Sequence, residues 1–89
     1  MYARTDMRLI VKLYAGLSPY LPAAATANTT DLDVAEDATP ADIISRLDLP
    51  LELVHIVLLN GVYIKPEDRG STSLKEGDIL SMWPPVAGG

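Results

Sequence analysis

The chain has 89 residues, enough for one small domain whose folding buries roughly 60–65% of the unfolded chain's surface. Seven Lys and Arg stand against twelve Asp and Glu, a formal charge of −5, so there is no cationic excess to release counterions from a nucleic-acid backbone. No cysteine and one histidine, His55, exclude disulfides, thiolate metal sites and a cysteine nucleophile, and leave no histidine cage for a metal within one chain.

Arg4 and Arg8 before an apolar stretch, with small residues at 23–27, imitate a secretory leader, but Asp6, Lys12, Pro19 and Pro22 interrupt it. The charge-free stretch 13–30 holds a Gly and two Pro and is too polar to span a bilayer. The expectation is a soluble, cytoplasmic protein that binds neither membrane nor nucleic acid. Met7, Leu9, Val11 and Leu13 alternate with Arg8, Ile10, Lys12 and Tyr14, which predicts a strand with one buried face. Residues 15–28 lack periodicity and read as a long loop with room for a helical turn. Thr30, Leu32 and Val34 alternating with Asp31 and Asp33 predict a second strand, its acidic face to water.

Thr39 followed by Pro40 and Asp42 is a helix start, with N-cap, first-turn proline and capping box in one short run. Ile43, Ile44 and Leu47 then fall on one side of a short helix that must dock on a sheet to be stable. Asp48-Leu49-Pro50 ends it, and 51–53 has the composition for one more turn. The aliphatic run 54–59 predicts a strand buried on both faces or under a partner. Asn60-Gly61 supplies the positive φ angles of a type I′ turn into a short return arm at 62–64. A polar loop follows at 65–73, then a turn at 74–78 with Gly77 in the left-handed region, then a last strand at 79–83 that Pro84-Pro85 stops. One helix on a mixed four- to five-stranded sheet makes an α+β domain at 1–83, with an extended tail at 84–89. The β-grasp, or ubiquitin-like, fold has this order of elements.

Few side chains here can carry chemistry. Ser71, Thr72 and Ser73 read as turn formers, and His55 as a structural or surface histidine. The acids at 31, 33, 36, 37 and 42, with no cation among them, form a solvated face or a dock for a basic partner. The tail is different. Pro84 and Pro85 favour an extended exit, and Gly88 and Gly89 have no Cβ, so they pass through a slot too narrow for any other residue. A main-chain carboxylate at Gly89 is a poor electrophile until a partner converts it to an acyl-adenylate, whose phosphate leaves readily.

The run Trp83-Pro84-Pro85-Val86-Ala87-Gly88-Gly89 resembles the C-terminus of the molybdopterin synthase small subunit, in the MoaD/ThiS sulfur-carrier family. The segments at 57–62, 74–80 and 11–15 resemble that family's hairpin, final turn and first strand, and the likeness is weakest across 15–30. The resemblance implies a carrier that binds no cofactor and has no catalytic site of its own. An E1-like adenylyltransferase would use ATP to adenylate Gly89, and a sulfurtransferase step would leave a thiocarboxylate there. Pro84, Pro85, Val86, Ala87 and Gly88 would then thread into the large synthase subunit, where Gly89 gives its sulfur to a pyranopterin precursor of molybdenum or tungsten cofactor. A thiazole-type carrier for thiamine and a protein modifier conjugated through Gly89 share the fold and the Gly-Gly end. The uncovered sheet face should dock partners, with Trp83, Ile10 and Tyr14 as candidate contacts.

Overall fold

The alternation of the first strand appears unchanged in the computed structural model, which describes residues 6–23 and 25–85. In β1 (Asp6–Leu13), Leu9, Val11 and Leu13 are wholly buried while Arg8 is exposed and Ile10 and Lys12 are half-covered. β2 (Thr29–Ala35) pairs antiparallel with β1 and sets Leu32 opposite Leu9 and Val34 opposite Met7. Its acids Asp31 and Asp33 stand on the other face, opposite Ile10 and Arg8.

The capping box is complete. Thr39 Oγ1 accepts the Asp42 N–H, and the Asp42 carboxylate accepts the Thr39 N–H at 2.9 Å, which starts α1 (Pro40–Arg46). The helix has seven residues and buries Pro40, Ile43 and Ile44. Asp48 takes φ +57° just beyond it and Leu49 turns back into the core. A helix this short depends on that packing for its stability.

The expected strand at 54–59 divides. Leu51–Leu53 forms a 3₁₀ turn, and β3 starts later, spanning Ile56–Leu59. Only Val57 of β3 is wholly buried, so the strand is not covered on both faces; Ile56 and Leu58 lie on the open side. Asn60 (φ +51°) and Gly61 (φ +87°) make the hairpin turn to β4 (Val62–Tyr63), a shorter arm than expected. Gly77 (φ +84°) sits in the left-handed region before β5 (Ile79–Trp83).

The five strands form one sheet in the order β2-β1-β5-β3-β4. β5 lies in the middle, parallel to β1 and antiparallel to β3. Leu80 and Met82 of β5 face the same side as Val11, Leu13 and Val57, and α1 closes this core with Ile43 and Ile44. The Ala/Pro segment also contributes: Ala15–Tyr20 forms a 3₁₀ turn packed against β1 and β5, and its Leu17 has no exposed surface. Residues read as loop therefore plug one end of the core.

Candidate functional site

The face of the sheet away from the helix is where the sequence-derived contacts converge. Ile10 pairs with Ile79, Leu58 with Ser81 and Tyr63, and Ile56 with Trp83, so alternation sends all of these side chains to the same side. Tyr14 follows β1 in extended conformation, and its ring stacks on Trp83 with centroids 4.6 Å apart and planes 8° from parallel. Tyr14 and Trp83 are thus brought together, while Ile10 shares their face four residues back along the chain; each is half-buried rather than freely exposed. Stacking fixes the Trp83 ring before any partner arrives, which lowers the ordering cost of binding.

Sequence reasoning missed Ile56, Leu58, Ile79 and Tyr63, which join the three predicted contacts on an apolar face that Lys12 and Ser81 interrupt. Their signal is alternation counted from Trp83, and it becomes readable only once the pairing is known. Charges frame the surface on its β1–β2 side. The Arg8 guanidinium donates to the Asp33 carboxylate at 3.2 Å, and this contact raises the Arg8 pKa above its ordinary value.

The tail leaves this surface from a clamped root. The Trp83 carbonyl accepts the His55 N–H at 3.0 Å, and the Met82 carbonyl accepts the Tyr14 N–H at 3.2 Å. The last strand is therefore held on both edges up to the first proline. His55 serves through its backbone, and its side chain is exposed. Beneath it lies Arg69, 8% exposed, which the sequence reading left inside a polar loop. Its guanidinium donates to the carbonyls of Ile64, Val54 and His55 at 3.1–3.3 Å, tying the end of the hairpin to the segment entering β3. Nothing local in the sequence marks this role, because all three acceptors are backbone atoms. Pro84 is half-buried and Pro85 exposed; Val86, Ala87, Gly88 and Gly89 lie outside the described residues. Among the described residues no cluster of His, Asp and Glu is placed to hold a metal, and no helix is long and apolar enough to cross a membrane.

A mixed five-stranded sheet on one helix, with a parallel central pair of first and last strands, defines a β-grasp domain. Within that class the chain belongs to the ThiS family of ubiquitin-like sulfur carriers, whose family model matches residues 21–89. Three solved structures show the range of its relatives. The Haloferax volcanii HVO 2177 protein is 28% identical with TM-score 0.75, the match covering 94% of this chain and 88% of that one. Haloferax volcanii SAMP1 is 26% identical with TM-score 0.66, over 92% and 99% of the two chains. The thiamine biosynthesis protein ThiS of Geobacter metallireducens is 25% identical with TM-score 0.64, over 93% and 100%. The fold is also that of a subunit of the Helicobacter pylori molybdopterin-converting factor, seen in a complex of subunits 1 and 2, at 22% identity, TM-score 0.60 and coverage of 93% and 100%. No curated protein matches the chain.

Proposed function

We propose that the protein is a sulfur carrier acting as the small subunit of molybdopterin synthase. The observation that carries this reading is the tail root: a Pro-Pro-Val-Ala-Gly-Gly extension continues from the central strand, beside a preformed apolar surface. An activating enzyme docks on that surface and holds the tail extended. The Gly89 carboxylate oxygen attacks the α-phosphorus of ATP, pyrophosphate leaves, and an acyl-adenylate forms. A sulfurtransferase supplies sulfur at the sulfide level; the C–S bond forms, AMP leaves, and Gly89 carries a thiocarboxylate.

The loaded tail then enters a second partner, the large synthase subunit, through residues 84–88. The thiocarboxylate sulfur bonds to a carbon of the pyranopterin precursor as that carbon's oxygen substituent leaves, and water then cleaves the acyl–sulfur bond and restores the Gly89 carboxylate. Two such deliveries complete a dithiolene. The reacting atoms belong to the main chain, which is why a chain without cysteine can carry reactive sulfur. The domain itself contributes no catalytic side chain: it aims the tail and recognises the partners. Its ATP use is the activating partner's, and its site of action is the cytoplasm.

The likeness to SAMP1 favours a second reading, a protein modifier joined through Gly89 to lysines of other proteins, and the likeness to ThiS favours delivery to a thiazole precursor. Intact-mass measurement after co-expression with an E1-like enzyme and a sulfur source tests the proposal. The expected product has one oxygen replaced by sulfur at Gly89, and removing Gly88 and Gly89 abolishes it while thermal unfolding is unchanged. Adding the large subunit and the pyranopterin precursor then consumes the sulfur. An unchanged mass beside an active E1-like enzyme overturns the carrier reading, and isopeptide adducts on lysines replace it with the modifier.

A further inference from the structure

The helix side of the domain carries a second concave surface that the tail chemistry does not use. α1, the Leu51–Leu53 turn and the Pro66–Asp68 turn enclose a groove of about 440 Å³ lined by Ala41, Ile44, Leu51, Val54, Pro66 and Arg69. The trough continues along α1 past Ser45 to Asp48 and Leu49. Leu51 lies in both parts and is 75% exposed, more than Val62 or Tyr63, the other large exposed hydrophobic residues among those described. Leaving a leucine this bare beside an apolar hollow stabilises nothing in the isolated domain.

The surround is acidic. Asp48 lines the groove, Glu52 follows Leu51, and Glu67 and Asp68 follow Pro66; all four are exposed. Against them stand Lys65, exposed before Pro66, and Arg69 in the lining, whose guanidinium is directed to the carbonyls of Val54, His55 and Ile64. A mainly apolar hollow with Asp48 in its lining and three more exposed acids beside its lining residues is complementary to apolar side chains flanked by cations.

We infer that this groove is a second protein-docking site, taking a partner segment with one or two bulky aliphatic or aromatic side chains between lysines or arginines. It lies on the helix layer, whereas the surface around Trp83 lies across the sheet, so a protein held there leaves the groove open. This inference does not depend on what the tail carries.

Amide ¹H–¹⁵N spectra of the full chain, titrated with the peptide acetyl-Lys-Arg-Leu-Leu-Lys-Arg-amide, test it. The expected shifts centre on Ala41, Ile44, Leu51, Val54 and Gly70, and weaken as salt is raised. Leu51→Ser should lower peptide affinity about tenfold, the loss of one buried aliphatic contact, with the thermal melt unchanged because the side chain is exposed. Asp48→Lys should weaken binding while leaving the floor intact. Four results would each overturn the site: no shifts at millimolar peptide, equal binding of an analogue with Glu for every Lys and Arg, shifts centred on Ile10 and Trp83, or the same shifts on concentrating the protein alone.

Discussion

Leu9 and Ile10 are neighbours on one strand and serve opposite ends. Leu9 faces the helix and has no exposed surface; Ile10 faces away, half-covered, beside Ile79 on the face that carries the stacked pair Tyr14 and Trp83. The same alternation runs through β5, where Leu80 and Met82 are buried and Ile79 and Trp83 are not. Apolar side chains on both faces of a sheet with one helix mean that one set folds the domain and the other stays half-covered, the face proposed here to meet partners. Both sets are apolar and lie on the same strands, so the difference lies in what the fold provides to cover them.

Variants on the two faces break that comparison in order of size. Leu9→Ala should cost about 2–5 kcal/mol in chemical denaturation, since it opens a cavity between β1, β2 and the helix. Arg69→Met, at the tail end of the sheet, should cost about 2–4 kcal/mol because the buried Val54 carbonyl and the part-buried His55 and Ile64 carbonyls lose their donor. Its Lys variant should recover only part of that, an ammonium being unable to match the fork of a guanidinium. Trp83→Ala should weaken binding of the activating enzyme about tenfold by calorimetry, yet lower folding stability by only ~1 kcal/mol. A loss of folding instead would move Trp83 to the covered set. Thr39→Ala should cost ~1 kcal/mol through loss of the cap, with no effect on either face's binding.

Features encoded by near neighbours were legible in the sequence. The period-two run of β1, the Thr39-Pro40-Asp42 helix start, the Asn60-Gly61 turn and Gly77 all stand where local rules put them. Features settled by distant partners were not. The run 54–59 is aliphatic throughout, so its parity is undefined until β5 sets Val57 opposite Met82. Leu17 sits among Gly, Ser and Pro, and only the gap between β1 and β5 makes it core. Arg69 resembled any loop arginine because its acceptors are main-chain carbonyls elsewhere in the chain. At the candidate site, Trp83, Tyr14 and Ile10 were readable, whereas Ile56, Leu58, Ile79 and Tyr63 emerged only with the strand pairing.

The central placement of β5 also has a mechanical consequence. A pull on the tail runs along β5, and its hydrogen bonds to β1 on one side and β3 on the other lie across that direction. The load is shared by both ladders at once, in shear, instead of opening them one bond at a time as peeling an edge strand would. A strand at the sheet's edge, carrying the same six residues, would unzip under the same force.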